Sequence, residues 1–151
     1  MPSLVYLASQ SPRRAQLLTQ LGVAHELLLP DATEDAEGLE EVLSRELPLS
    51  YVQRVTQLKL DAALTRRKRR GLLPAPVLCS DTTVALRRSI FGKPADADDA
   101  ARMLHALSGK THWVLTAVAV GTERKRLHAV SRSKVTFAEL SVAQIKSYVA
   151  S

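Results

Sequence analysis

The sequence predicts a layered α/β domain, and three features carry this prediction. Patterns typical of a strand, a helix and a second strand follow one another between residues 4 and 30. A long helical pattern that starts near Ser50 precedes an apolar strand pattern at 76–86. Two long strand patterns, at 111–121 and 126–140, come after a further helix. Strands and helices that alternate at such short spacing pack against one another as layers, so we expect an α/β fold.

The first unit consists of a strand, a helix and a second strand. The segment LVYLAS at 4–9 is short, apolar and ended by small polar residues, as is typical of a buried strand. Ser11 is a candidate N-cap, and Pro12 suits the first position of the helix. The helix stops at Gly22, and AHELLLP at 24–30 is predicted as the second strand. Three apolar residues lie on one side of this helix: Leu17, Leu18 and Leu21.

The second predicted helix begins at about Ser50 and ends in a basic run. Its apolar residues recur at steps of three and four, and Lys59 lies beside their stripe. The run RRKRR at 66–70 precedes Gly71, a candidate C-cap. Because the helix dipole favours cations at a C-terminus, we interpret the run as a solvated helix end. A patch for RNA or DNA is the alternative, which the aromatic content of 4% disfavours.

The second half of the chain contains paired strands and two more helices. The segment at 76–86 is predicted as a strand, and SIFGKP at 89–94 as its hairpin partner or a following loop. Asp96 is the candidate N-cap of a helix that ends at Gly109. The two long strands after it are joined by the basic turn TERK, and Ser141 opens a last helix.

Length and composition predict one globular domain, which we place at residues 1–151. The net charge of +6, from 21 Lys and Arg against 15 Asp and Glu, leaves nucleic acid, an anionic membrane or phosphorylated small molecules open as partners. No apolar run reaches the ~18 residues that span a bilayer, so we expect no membrane segment. Cys79 is the single cysteine. It excludes an internal disulfide and a zinc knuckle, and it is compatible with a reducing cytoplasm.

Asp81 is the strongest single candidate for a catalytic or metal-binding residue. It interrupts the apolar strand segment VLCSDTTV, where an unpaired carboxylate is expensive to bury. One interpretation is a buried salt bridge with an Arg or Lys. The other is a metal ligand or general base at a cleft. The residues alone leave both open.

The acidic segment at 31–41 and several cations complete a candidate phosphate site. Glu34 and Asp35, together with Asp81, would suit Mg²⁺, which needs only one or two carboxylates besides phosphate oxygens. Solvated surface charge is the alternative for each of these acids. The cations that would neutralise phosphates are Lys59, Lys93 and the pair Arg13 and Arg14, which lies at a strand-to-helix junction.

Four segments, in order along the chain, resemble the motifs of one known protein family. The segment LASQSPRRAQLLTQLGV at 7–23 is similar to the opening Ser-x-Ser-Pro-Arg-Arg signature of that family, the Maf family. The segment VLCSDTTV at 77–84 is similar to its Ala-Asp-Thr segment, with Ser80 in the alanine position. The stretch at 91–120, which contains GKP and LSGKTH, and the stretch VTFAELS…I…YVAS at 135–151 resemble the parts that follow.

The resemblance implies an α/β/α layered fold related to the inosine triphosphatases, and a nucleoside triphosphate pyrophosphatase. Such enzymes cleave between the α- and β-phosphates with a divalent metal, Mg²⁺ or Mn²⁺, and release a nucleoside monophosphate and pyrophosphate. The Thr-His form of LSGKTH is similar to the subgroup that acts on dTTP and UTP, and modified pyrimidine nucleotides are further candidate substrates. A cytoplasmic homodimer is the corresponding expectation.

The resemblance also assigns roles to residues. Asp81 is implied as the proton acceptor and a metal contact, and Glu34 as a second metal contact. The implied substrate-binding residues, of which Arg13 and Thr82 match specificity positions, are Ser9, Arg13, Arg14, Lys59, Thr82 and Lys93.

The family continues beyond the helix that ends at Ser151 with a Lys-Ala-Gly-x-Tyr-x-Ile-Gln-Gly motif, a strand and a helix. We therefore expect a domain that is incomplete at its C-terminus, with an open sheet edge and lower stability than a complete homologue. The alternative function is a catalytically impaired Maf-like protein that acts by binding, for example in cell division or septum formation.

Overall fold

The computed structural model describes residues 4–151, so the first three residues of the predicted domain lie outside the described chain. Within residues 4–151, one mixed sheet has the strand order β2-β1-β3-β5-β6, and β4 pairs with β3 outside this path. The strands are β1 (Val5–Leu7), β2 (His25–Leu27), β3 (Val77–Leu86), β4 (Ser89–Phe91), β5 (Thr111–Gly121) and β6 (Arg126–Thr136). The helices are α1 (Pro12–Gln20), α2 (Pro48–Arg69), α3 (Ala97–Leu107), α4 (Val142–Ala150) and a short 3₁₀ helix at Glu37–Glu40.

The sheet contains a gap beside β3. Strand β1 runs parallel to β2 and β3, whereas β5 is antiparallel to β3 and β6. On one edge of β3, β1 pairs with Val77 and Leu78, and β4 pairs with Val84–Leu86. Residues 79–83 therefore lie between these two neighbours, with Asp81 in the middle. Ligands of α/β proteins bind in crevices at the carboxyl ends of parallel strands, so the gap is a candidate site.

Helix α2 supplies much of the core because it packs across β3 and β5. Leu60 and Ala63 of α2 are buried in one cluster with Cys79, and Val52 is buried in a second cluster with Ala117. The buried position predicted for Cys79 is confirmed, and burial raises the pKa of its thiol to about 12. A thiol with such a pKa is not a nucleophile at neutral pH.

Helix α1 begins with Pro12 as predicted, and Gly22 beyond its end has a positive φ of 74°. The predicted apolar side is buried only at Leu18, whereas Leu17 and Leu21 are 50% and 75% exposed. The physical reason is that this helix has nine residues and packs against the short edge strand β2.

The caps of the last two helices are confirmed. The Asp96 carboxylate accepts a hydrogen bond from the Asp99 N–H at 2.8 Å, and Ser141 forms a capping box at the start of α4. Strand β6 is shorter than predicted and ends at Thr136, since the next N–H donates to the Lys110 carbonyl at 3.0 Å as the chain turns towards α4. Among the helices within residues 4–151, none has an apolar stretch of the length that a bilayer requires.

Candidate active site

Arg14, from the segment that follows β1, places its guanidinium group against the gap of β3. Its Nη1 donates to the Ser80 carbonyl at 3.0 Å and to Ser9 Oγ at 2.9 Å, and its Nη2 donates to Thr82 Oγ1 at 3.3 Å. Burial lowers the pKa of Arg14, and the nearby charge of Asp81 opposes this shift. Since an arginine stays charged at physiological pH, Arg14 is a fixed cation that takes the place of a strand neighbour and joins Ser9 to Thr82.

Arg13 and Lys93 are exposed cations of the segments that adjoin the gap of β3. Arg13 lies in the first turn of α1, where the helix dipole and the free N–H groups favour an anion. Lys93 follows β4, which pairs with the edge of β3 that contains the gap. The two predicted phosphate contacts are thus available to a ligand, whereas the neighbouring Arg14 is already engaged by the protein.

Asp81 lies on the opposite face of β3 from Thr82, because side chains alternate along a strand. Its Oδ1 is 3.0 Å from Lys59 Nζ, and the same Nζ is 2.9 Å from Glu40 Oε1. Burial works to lower the pKa of Lys59, but the two carboxylates outweigh it and raise that pKa. Of the two interpretations of Asp81, the salt bridge is therefore present, with Lys59 as the partner, and the role as general base or metal ligand stays a prediction. The Asp81 side chain keeps 13% of its surface exposed, so it faces a partly dry site.

Glu34 lies away from the contact between Lys59 and Asp81, because it forms a salt bridge with Arg66. Arg66 Nε and Nη2 donate to the two Glu34 oxygens at 2.8 and 2.7 Å, and its Nη1 donates to the Leu28 carbonyl at 2.8 Å. Lys59 and Arg66 are seven residues apart on α2, which is about 10 Å along the helix axis. The structure thus brings Glu40, and not Glu34, to the lysine that holds Asp81, and the metal role of Glu34 stays a prediction.

The side chains of the basic run at the end of α2 form ion pairs with other parts of the protein. The helix does end there as predicted, but Arg66 is only 4% exposed, so the solvated interpretation is wrong for this residue. The acidic segment before α2 packs against the helix end and pairs with it, as Arg69 and Arg70 both contact Asp31. Arg67 pairs with Glu123 of the turn between β5 and β6. Sequence spacing cannot show these pairs because their members lie 32 to 56 residues apart.

The Arg66 contact predicts how stability depends on pH. Arg66 holds the pKa of Glu34 below its usual value of 4.5, and burial opposes this shift only in part. Because the pKa is lower in the folded state, the contribution of Glu34 is complete above about pH 4.5 and is lost as the pH falls through the folded-state pKa. We expect the free energy of unfolding, measured with urea between pH 7 and pH 3, to decrease below pH 4.5. Glu34→Gln should flatten this decrease, and an equal slope in both proteins would contradict it.

The donor set around Lys59 is compatible with a divalent metal. Among the described residues, no group of three or more His, Cys, Asp or Glu side chains is placed to hold a metal ion. Mg²⁺, however, commonly takes one or two carboxylates and completes its shell with water and substrate phosphates. Asp81 and Glu40 already present one oxygen each to a single cationic nitrogen. Sequence reasoning missed Glu40, because nothing in the acidic segment distinguishes it from its neighbours.

Comparisons with known proteins agree with this architecture. The family model described as "Maf-like protein" matches residues 4–151. A protein of Albidiferax ferrireducens named dTTP/UTP pyrophosphatase is 68% identical over 151 residues, which is all of this chain and 76% of that protein. Proteins of the same name from Polaromonas and Cupriavidus metallidurans are 67% and 62% identical, over 97% and 100% of this chain and 73% and 76% of their own lengths.

A solved structure confirms the fold class independently. The Staphylococcus aureus Ham1 protein superposes with a TM-score of 0.53 at 13% sequence identity, over 89% of this chain and 70% of that one. At this identity the likeness concerns the fold alone. It confirms the predicted α/β class.

Proposed function

Because the chain belongs to the Maf family, we propose that it is a nucleoside triphosphate pyrophosphatase acting on dTTP and UTP, and on modified pyrimidine nucleotides of the same shape. It would hydrolyse the bond between the α- and β-phosphates to give a nucleoside monophosphate and pyrophosphate. A single observation carries this proposal. Three consecutive residues of β3, at 80–82, contact cationic Arg14 on one face of the strand and the Lys59-bridged carboxylates of Asp81 and Glu40 on the other.

The cations of this site bind and orient the triphosphate. Arg13 and the N-terminus of α1 would hold phosphate oxygens from one side, and Lys93 from the loop after β4. Arg14 holds Ser9 and Thr82 in place and so shapes the wall of the site. In general, fixed charges that face a leaving group stabilise the negative charge that develops on it, without reorganisation during the reaction.

Asp81 is the proton acceptor of the reaction. The water oxygen forms a bond to the α-phosphorus, and the bond from that phosphorus to the bridging oxygen of the β-phosphate breaks. Pyrophosphate leaves with the bonding electron pair. The water proton passes to Asp81, whose Oδ1 is held by Lys59, so that Oδ2 is the oxygen that would take the proton. Asp81 and Glu40 are also the residues that would hold Mg²⁺ or Mn²⁺, which would supply Lewis-acid stabilisation of the polyphosphate charge.

The ion pairs of the basic run support a small-molecule substrate over nucleic acid. All five of its cations contact acidic side chains of the protein: Arg66, Arg67, Lys68, Arg69 and Arg70 each contact Glu34, Asp31 or Glu123. A phosphate backbone would have to compete with these contacts. A homodimer and a cytoplasmic location stay predictions of the family resemblance.

The function is tested by product identity. The protein is incubated with Mg²⁺ or Mn²⁺ and with dTTP, UTP, CTP, ATP or GTP, in parallel with and without added inorganic pyrophosphatase, and phosphate release is followed. We expect phosphate from dTTP and UTP only when the auxiliary enzyme is present, because the primary product is pyrophosphate. Phosphate without it would indicate stepwise removal of terminal phosphates and contradict the proposal. Nucleotide binding without turnover would instead support a protein that acts by binding.

A further inference from the structure

Thr82 and Thr116 form a hydroxyl pair at the site, on the face of the sheet opposite Asp81. The two residues are opposite each other on β3 and β5, and their Oγ1 atoms are 3.0 Å apart. Thr82 Oγ1 also accepts the hydrogen bond from Arg14 Nη2. Thr116 matches none of the positions implied by the family resemblance, and the sequence offers no signal that singles it out.

The pair presents one free hydroxyl proton to a ligand. Two hydroxyls carry two protons, and one of these is used in the bond between the two threonines, whichever of them donates. Arg14 is a donor only, so its hydrogen bond occupies a lone pair of Thr82 Oγ1 and uses neither hydroxyl proton. Hydrogen bonds in a chain polarise one another, and a cationic donor at one end makes the outer hydroxyl a better donor. The Arg14–Thr82–Thr116 chain therefore favours a ligand atom that accepts a hydrogen bond.

Apart from Arg14, which already donates to Ser9, Ser80 and Thr82, the side chains next to Thr116 on this face are uncharged. Side chains of the same face alternate along each strand, and those next to Thr116 are Val118 on β5 and Ser131 and Ala129 on β6. Val118, Ser131 and Ala129 are all exposed. A flat surface of small uncharged side chains suits a planar, uncharged ring better than a phosphate group, which charged donors bind more strongly.

We propose that Thr116, through its hydroxyl pair with Thr82, is a specificity-determining residue that donates a hydrogen bond to a ring carbonyl oxygen of the nucleobase. This inference rests on the proposed function. Uracil and thymine carry a carbonyl oxygen at the ring position where cytosine carries an amino group, so the pair would favour UTP and dTTP over CTP. The neighbouring Val118 gives the apolar contact that the methyl group of thymine needs.

The test compares Thr116→Val, Thr116→Ser and Thr136→Val with the unmodified protein. Valine has the shape of threonine without the hydroxyl and suits a strand, while serine keeps the hydroxyl. Thr136→Val is the matched control, because Thr136 forms an equivalent cross-strand pair with Thr111 at 2.8 Å, about 17 Å along β5 from Thr116. For each protein, kcat/KM is measured for UTP and dTTP. CTP is measured both as a substrate and as an inhibitor of UTP hydrolysis, so that its affinity is known even without turnover.

We expect Thr116→Val to lower kcat/KM for UTP and dTTP about tenfold while the constants for CTP stay unchanged. Thr116→Ser should restore most of the loss, and Thr136→Val should behave like the unmodified protein. An equal loss for all three nucleotides would overturn the inference and indicate a contact to a phosphate or sugar oxygen, and so would no change at all. Failure of the proposed function is a separate result, because the unmodified protein would then hydrolyse none of the nucleotides.

Discussion

Replacing Asp81 by asparagine is expected to lower kcat for dTTP and UTP by a factor of about 10²–10⁴. The amide cannot accept the water proton, and it also removes one of the two negative charges that Lys59 holds together. The change keeps the size of the side chain and its contact distance, so the fold should survive. Phosphate release in the presence of inorganic pyrophosphatase measures the effect.

The control for this variant is Asp61→Asn. It makes the same chemical change on an acid of α2 that is 54% exposed and pairs with Arg126, and we expect its activity to match the unmodified protein. Both variants are compared by thermal melting to confirm that they are folded. Full activity of a folded Asp81→Asn would remove Asp81 from the mechanism, whatever the control does.

Replacing Arg66 by methionine is expected to lower the free energy of unfolding by about 3–5 kcal/mol. The substitution leaves the Glu34 carboxylate without its main partner and the Leu28 carbonyl without its side-chain donor, in a place where the arginine is almost fully buried. Removing one member of a buried pair is costly because the other charge stays behind. Urea unfolding at pH 7 measures the change.

Two further variants show whether the loss comes from this pair. Lys68→Met, on the same turn of α2, removes a cationic side chain that is 74% exposed and lies 3.9 Å from Glu123 Oε1, and it should change the free energy of unfolding by less than about 0.5 kcal/mol. Arg66→Met combined with Glu34→Gln should lose less than Arg66→Met alone, because the Glu34 carboxylate, which Arg66→Met leaves with Arg69 at 3.2 Å as its remaining cation, is then removed as well. A double variant that is less stable than the single one would contradict this explanation.

Local patterns predicted most of the elements. The helix starts after Asp96 and Ser141 follow from side-chain caps, and the start of α1 follows from proline at its first position, since Ser11 forms no side-chain cap. The apolar segment around Asp81 is strand β3, and the residues before Gly71 are the end of α2. The apolar pattern of α1 predicts the burial of its leucines less well, because burial depends on which other parts of the chain pack against the helix.

The sequence by itself determined the α/β class, the family, and the presence of an acid that an apolar strand cannot leave unpaired. Only the tertiary structure decided which charges meet: Lys59 joins Asp81 to Glu40, and Arg66 keeps Glu34. The physical reason is that caps and periodicity arise from residues a few positions apart, whereas an ion pair depends on distance in space. The folding of the acidic segment along α2 sets those distances, and about two turns of that helix separate Lys59 from Arg66.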